Sequence, residues 1–503
     1  MTTTPPRRVD VAIVGAGTAG LAAYRAASSP SASPPDTGAR EKATVVLIEG
    51  GPVGTTCARV GCMPSKLLVA AGNEAHHARE AGAFGIACQV TVDGPAVMAR
   101  VRHERDRFVA SVVRDIEALP PQDRMVGRAR LLGPGALDVG GTAVEARAVV
   151  VAIGAKAEIP AMFDAVKDRT SISDDVFSWT DLPASVAVFG AGPVGIELGQ
   201  ALHRLGVRVR IFGKGGRVGT LTDPAVRDAA ARAFAAEMAF QPDARIHDMR
   251  ADGDGVAVHF EGDDGVPRVE TFARVVVAAG RRPDYAALGL REAGVTLDDS
   301  GSPRFDRTTM RCGDTSIFIA GDAAAETPVL NEAVDEGGIA GRNAAHYPKV
   351  SSERRRSRLV LTFSSPQLAV VGATFAELSG QRGERGEPGE PGEPGERDVL
   401  VGEVSFEDQG RSKIIRQNRG LARLYAARGS GRFLGAELAA PGAEHLGHLL
   451  AWAHQQRMTV QQMLSMPFYH PVIEEGLRTA LRALRKQLGD PTTEMPAGFN
   501  RLC

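Results

Sequence analysis

The sequence predicts an α/β fold with two Rossmann-like domains, and two observations lead to it. The apolar run Val9–Val14 ends in Gly15-Ala16-Gly17-Thr18-Ala19-Gly20 and passes into the helix-forming Leu21–Ala27. The same order recurs in the strand Ser185–Phe189, the turn Gly190-Ala191-Gly192-Pro193-Val194-Gly195 and the helix Ile196–Leu205. In such a unit the glycines allow a tight turn and let a pyrophosphate approach the helix N-terminus. Each copy is trailed by a similar apolar strand ending in Gly, Val149–Gly154 and Val275–Gly280, and Gly154 and Gly280 are assigned to the same two sites. One fingerprint alone is often no more than a tight turn. Two, each in strand-turn-helix context with a matching trailing strand, predict two dinucleotide-binding domains.

The remaining elements follow in chain order. Thr44–Glu49 is the next strand of the first copy, and Glu49 at its end is the acidic residue that would hold a ribose hydroxyl. It lies farther along than usual because the Ser/Pro-rich tract Ser28–Arg40 reads as a surface insertion. Cys57 and Cys62 stand with four residues between them, just before Pro64, where a helix is predicted to begin and run to about Glu80. Unpaired N–H groups and the helix dipole at that N-terminus favour a thiolate at Cys62, and Lys66 adds positive charge about one turn in. A structural disulfide is disfavoured because the closed loop is short. A metal site would need a second pair, which Cys88, Cys312 and Cys503 do not supply. Redox catalysis is the reading this stretch favours over both.

In the second copy the strand Val207–Phe212 ends at Gly213, where an NAD site would place an acidic residue, and Lys214 and Arg217 follow. Both are either solvated loop charges or contacts for a 2′-phosphate. On this reading Gly213→Glu should favour NAD. Ser316–Asp322 is a short apolar strand ending at an Asp that either caps a helix or accepts hydrogen bonds from a polyhydroxyl ligand. Gly380–Arg397 is a Gly-Glu-Pro repeat and is expected to be a solvated loop. From Arg354 to Leu488 the chain has strands at Leu359–Phe363, Leu368–Val371 and Leu421–Ala426, and no nucleotide fingerprint. There His470 precedes Pro471 and a helix whose first turns carry Glu474 and Glu475. A His with a carboxylate in reach is a candidate base, but periodicity does not say which Glu faces the ring.

Length suits three or four domains, and 43% hydrophobic with 5% aromatic residues suits an α/β enzyme. A net charge of −1 offers no case for a nucleic-acid partner or an anionic membrane surface. No run of 18 apolar residues occurs, so no transmembrane helix is expected, nor a signal peptide ahead of Val9. With five cysteines, a reducing, cytoplasmic compartment is expected.

These motifs together resemble the flavin-dependent pyridine nucleotide–disulfide oxidoreductases, and among them most closely dihydrolipoyl dehydrogenases, over nearly the whole chain from Val9 to about Leu488. The resemblance implies an FAD-binding domain at 1–156, an NAD(P)-binding domain at 157–283 and a central segment at 284–352 that completes the FAD domain. It implies an α+β interface domain at 353–503 that builds a homodimer. Gly15, Gly17, Gly20 and Glu49 would hold FAD, with Asp322 on its ribityl chain and Lys66 near the reactive flavin nitrogen, paired with Glu197. Gly190, Gly192 and Gly195 would hold NAD or NADP. Cys62 matches the thiolate against the flavin and Cys57 the exposed sulfur that exchanges with substrate. His470 matches the base and Glu475 its orienting carboxylate, acting on the disulfide of the other subunit. Electrons would pass between a dithiol substrate, such as free or protein-bound lipoamide, the Cys57–Cys62 disulfide, FAD and NAD(P).

Departures from the family pattern are Thr55 at a usual Gly and Ile153 at a usual Thr. Two alternatives stand beside the main reading. One is an NADPH-dependent reductase of another small disulfide or of mercuric ion, although mercuric reductases use a vicinal C-terminal Cys pair where this chain has only Cys503. The other is a flavoprotein redox sensor without turnover.

Overall fold

The computed structural model describes residues 5–29, 43–380 and 398–489. The predicted insertion from Pro30 to Arg40, the Gly-Glu-Pro repeat from Gln381 to Arg397, and Cys503 lie outside the described residues. The chain divides into two compact units.

The first unit takes residues 1–65, 99–158 and 280–356. Its sheet is built on four parallel strands, Arg124–Val126, Val45–Glu49, Arg7–Val14 and Thr142–Val151, in that order. The ten-residue strand Thr142–Val151 serves two neighbours on its far side. Its first half pairs antiparallel with Ala136–Val139 and its second half parallel with Ile317–Ile319. Val11, Ile13, Val46, Ile48, Val149 and Val151 are all almost fully buried, which accounts for runs that are apolar throughout rather than alternating. The register aligns Val14 with Ile48 and Val151, and Val151 with Ile319. One end of the sheet therefore gathers the segments that leave Val14, Glu49, Val151 and Ile319.

Helices Thr18–Ala27 and Leu330–His346 pack on each other so closely that a Cβ on Gly337 would lie 2.3 Å from the carbonyl oxygen of Ala19, and one on Gly341 2.3 Å from that of Ala23. Glycine at those two positions is what permits the approach.

The second unit takes residues 66–98, 159–279 and 357–503. It holds a parallel sheet in the order Ala239–Gln241, Arg208–Phe212, Ser185–Phe189, Arg274–Val277, Thr170–Ile172. A three-stranded antiparallel sheet over residues 246–272 shares a core with it in which Phe163, Phe189, Phe212, Phe260 and Phe272 meet edge-on or stacked. The C-terminal part is a five-stranded antiparallel sheet around Phe433–Ala440, every residue of which is buried. Helices Ala443–Gln455 and Glu475–Gln487 pack against it.

Glu437, fully buried in that central strand, accepts hydrogen bonds from the Thr222 amide and hydroxyl and from the Asp223 and Phe375 amides. Four donors on one carboxylate offset its desolvation and tie the strand to the start of helix Pro224–Ala235.

Candidate active site

In the first unit the turn after Val14 is shaped by contacts that only glycine permits. Gly15 has φ +108°, and a Cβ there would lie 2.3 Å from the Ala152 carbonyl oxygen. A Cβ on Gly20 would lie 1.8 Å from the Gly15 carbonyl oxygen, whereas one on Gly17 would meet nothing within 4 Å. The second unit repeats this position by position. Gly190 (φ +124°) faces the Ala278 carbonyl oxygen at 2.3 Å, Gly195 faces that of Gly190 at 1.9 Å, and Gly192 is open. Gly154 and Gly280, on the paired trailing segments, are likewise open. Glu49 leans over the first turn, accepting the Ala16 amide at 2.8 Å and the Gly51 amide at 2.7 Å.

Asp322 follows Ile317–Ile319 at the same sheet end, in a short 3₁₀ turn over Gly321–Ala324. Burial pushes its carboxyl above the ordinary range, against the pull of the Arg281 charge. A desolvated carboxylate beside open glycines and an N-terminal helix turn is a donor set that suits a polyhydroxyl chain and a pyrophosphate. These residues fit the demands of FAD.

Cys57 lies in the short helix Thr56–Val60, capped by Thr55, whose hydroxyl accepts the Ala58 amide at 3.2 Å. Thr55 does this at φ +55°, a region where a β-branched residue is strained. Gly61 then folds the chain back so tightly that a Cβ on it would lie 3.2 Å from the Cys57 Cα. Cys62 follows as the first residue of helix Cys62–Glu80, two residues before the start expected at Pro64. The five-residue spacing is thus closed into one compact turn. In the chain by itself Cys62 is the exposed residue and Cys57 the half-buried one. Cys57 is drawn in with its buried neighbour Ala58, whereas Cys62 stands at an open helix start.

In the second unit Lys66 pairs with Glu197 at 2.7 Å and lies 4.7 Å from the Phe363 ring centre. The other Glu197 oxygen accepts the Phe363 amide at 2.9 Å. His470 Nδ1 donates to Glu475 at 3.0 Å, which settles the choice between Glu474 and Glu475. A carboxylate only accepts, so Nδ1 carries the proton and Nε2 is the nitrogen able to take one up.

At the end of strand Arg208–Phe212, Gly213 is buried, and a Cβ would lie 2.4 Å from the Pro242 carbonyl oxygen. The expected gain of NAD preference from Gly213→Glu is therefore overturned, since the position has no room for any side chain. Lys214 and Arg217 are exposed on the loop beyond, whose Gly215 amide is held by Asp243 at 2.8 Å. Sequence reading missed Asp243 because its partner is a backbone amide 28 residues away.

Residues 9–345 match the family described as pyridine nucleotide-disulphide oxidoreductase, and residues 360–481 match the dimerisation domain of the same family. The chain belongs to the pyridine nucleotide-disulphide oxidoreductases. Among similar proteins, a mercuric reductase of Streptomyces lividans is 30% identical over 94% of this chain and 95% of its own. A dihydrolipoyl dehydrogenase of Thermus scotoductus is 26% identical over 95% and 98%. Of solved structures, LpdA from Mycobacterium tuberculosis superimposes with a TM-score of 0.76 at 24% identity, covering 95% of this chain and 99% of that one, which shows the shared fold. Members of the family bind FAD and NAD(P), and the chain is an FAD-dependent oxidoreductase acting on sulfur groups. Among the described residues no helix is long and apolar enough to cross a membrane.

Proposed function

We propose that the protein interconverts a small dithiol and its disulfide through a Cys57–Cys62 redox pair, with His470 as base and Glu475 orienting it. The observation that carries this reading is the 3.0 Å His470–Glu475 contact, because it prepares Nε2 to take a proton from a thiol. The thiolate so formed attacks Cys57 Sγ, the Cys57–Cys62 bond breaks, and Cys62 leaves as a thiolate. The second substrate sulfur then attacks the mixed disulfide, the substrate disulfide forms, and Cys57 departs with the remaining electron pair. The substrate loses two electrons and the cysteine pair gains them. The dipole of helix Cys62–Glu80, at whose first residue Cys62 stands, favours the Cys62 thiolate.

Gly15, Gly17, Gly20, Glu49 and Asp322 would hold FAD, which when bound supplies a two-electron acceptor beside Cys62. Gly190, Gly192, Gly195, Lys214 and Arg217 would hold the nicotinamide nucleotide. The working unit is a cytoplasmic homodimer in which the base of one protomer serves the cysteines of its partner. Its support is the matched dimerisation domain and the exposed Leu449, Trp452 and Tyr469 in that region.

The test is the absorption spectrum of Cys57→Ser. With its partner sulfur gone, Cys62 should stand as a thiolate and give a long-wavelength band before any reductant is added, and Cys62→Ser should not. Steady-state turnover of a disulfide panel with both reduced nucleotides then identifies the substrate. An ordinary flavin spectrum in oxidised Cys57→Ser would show the two roles to be wrongly assigned.

A further inference from the structure

Glu336 lies on helix Leu330–His346 with only 2% of its surface exposed. One of its carboxylate oxygens accepts the Gly321 amide at 2.7 Å, and the other takes a guanidinium N–H of Arg355 at 2.7 Å. Gly321 is the residue immediately before Asp322. The turn it opens is confined on its other side: Gly321 has φ +70°, and a Cβ there would lie 2.8 Å from the Cβ of Ala19 in helix Thr18–Ala27. Gly337, next to Glu336, is pressed on the Ala19 carbonyl. The Gly321–Asp322 turn is thus held between a helix it cannot move into and a single buried carboxylate.

The charge around that carboxylate is unbalanced. Its cation, Arg355, is shared with Glu332 at 2.6 Å, Asp335 at 3.5 Å and Glu326 at 3.9 Å. Arg307 takes part of the Glu326 charge and Arg356 part of the Asp335 charge, but both are directed at those residues and not at Glu336. Helix Thr18–Ala27 presents Ala19, Ala22 and Ala23 to this region, none of which carries charge. On the turn itself the facing groups are the Gly321 amide and Asp322, with Arg281 acting on Asp322. With one guanidinium divided among four carboxylates, burial prevails and pushes Glu336 up to about 7.

We propose that Glu336 is a positioning residue for the flavin: its ionised carboxylate fixes the Gly321 amide, and through it sets Asp322 to receive the ribityl hydroxyls, so that FAD is held more tightly above neutral pH than below it. The proposal rests on the reading of Asp322 as the ribityl partner. The sign follows from the acid form. Above its midpoint Glu336 is charged, grips Arg355 and the amide, and the binding-competent turn dominates. Below it Glu336 is neutral, the Arg355 attraction is lost, and the turn is released. If only the charged form is competent, its fraction falls from about ten elevenths at pH 8 to about one eleventh at pH 6, and the apparent Kd rises about tenfold.

The experiment titrates FAD into the full-length chain freed of flavin, following quenching of flavin fluorescence from pH 6 to pH 8. Wild type should weaken about tenfold on going down. Glu336→Gln, unable to ionise, should bind FAD with a nearly pH-independent Kd close to the wild-type value at pH 6. A flat wild-type profile overturns the inference without need of a variant, as does a Glu336→Gln profile parallel to wild type. Asp322→Asn separates the inference from the reading beneath it. If it leaves FAD affinity unchanged, the ribityl assignment is wrong and the inference falls with it. If it weakens FAD while Glu336→Gln keeps the wild-type pH profile, only the role of Glu336 is refuted.

Discussion

The loop after strand Arg208–Phe212 makes a quantitative prediction about nucleotide choice. Gly213 is held at both ends, its amide donating to Gln241 and its carbonyl accepting from Ala244, and Pro242 fills the space of a side chain. No carboxylate can stand there to bind a ribose 2′-hydroxyl or repel a 2′-phosphate. Gly215 and Gly216, at φ +67° and +68°, turn the loop so that Lys214 and Arg217 both end exposed. A Cβ on Gly199 would lie 2.5 Å from Ile211 Cδ1, so this glycine is required by the packing of helix Pro193–Arg204 on strand Arg208–Phe212. It reports helix packing, not the ribose pocket.

NADP(H) should therefore be accepted at an efficiency comparable to NAD(H) or better. An exposed cation on a phosphate is worth about 1 kcal/mol, below the range for charge-assisted bonds because water screens it. Lys214→Ala should then lower kcat/KM for NADPH about fivefold, and loss of Arg217 as well about thirtyfold, with NADH nearly unaffected. The effect should shrink as salt is raised. Asp243→Asn should favour NADPH further by removing the carboxylate that reaches this loop from just beyond the following strand to hold the Gly215 amide. Gly213→Ala should cost about 1–3 kcal/mol of stability through overpacking and impair both nucleotides. Steady-state kinetics with both nucleotides decide the matter. A wild type strongly selective for NADH, and indifferent to Lys214→Ala, would refute the reasoning.

Arg204→Met should lower stability by about 3–5 kcal/mol in denaturant unfolding, because it strands the Glu237 carboxylate, whose side chain is 8% exposed. Burial opposes the Glu237 charge, but hydrogen bonds and charge from Arg204, aided by His76 and Arg419, hold its carboxyl below the ordinary range. That stability is present above the ordinary carboxylate range and is lost as pH falls through the lowered value, so Glu237→Gln should abolish this part of acid unfolding. His470→Gln should slow dithiol oxidation by about a hundredfold or more. Glu475→Gln, which can still accept from Nδ1, should cost about tenfold. Activity recovered by mixing His470→Gln and Cys57→Ser subunits would locate the base across the interface, and its absence in verified heterodimers would count against a shared site. Removing Gly383–Gly395 should leave folding and turnover nearly unchanged, since a repeat of Gly, Glu and Pro has almost no apolar surface to contribute to a core.

What the sequence made legible is what depends on neighbours in the chain. The two fingerprints could be read because strand, turn and helix are contiguous, and the Cys57–Cys62 turn because Gly61 and Pro64 punctuate it. Phe433–Ala440 escaped because both of its faces are buried, so that even Glu437 lies inside and the strand has no polar–apolar alternation to detect. The choice between Glu474 and Glu475 was out of reach for a different reason: the helix begins only at Glu475, so helical spacing does not apply to residues 471–474. Asp243 and Glu336 act on backbone amides of Gly215 and Gly321, brought close by strand order and helix packing. A carboxylate that serves a distant amide leaves no pattern in side-chain types.

Identity alone does not choose between a dithiol and a mercuric ion, since the relatives with those two names stand at 26% and 30%. Proton count does. A dithiol arrives with two S–H protons, and only its thiolate attacks a disulfide, so a base must act near neutral pH. A mercuric ion brings no proton to remove and gains nothing from an oriented imidazole. In this chain the Glu475 side chain, only 12% exposed, faces His470 Nδ1 at 3.0 Å, an arrangement with a desolvation cost that suits the proton transfer proposed for this pair. His470→Gln should accordingly depress dithiol turnover while leaving any mercuric-ion turnover almost untouched. Equal loss of both would mean that the His–Glu pair shapes the site rather than moving a proton within it.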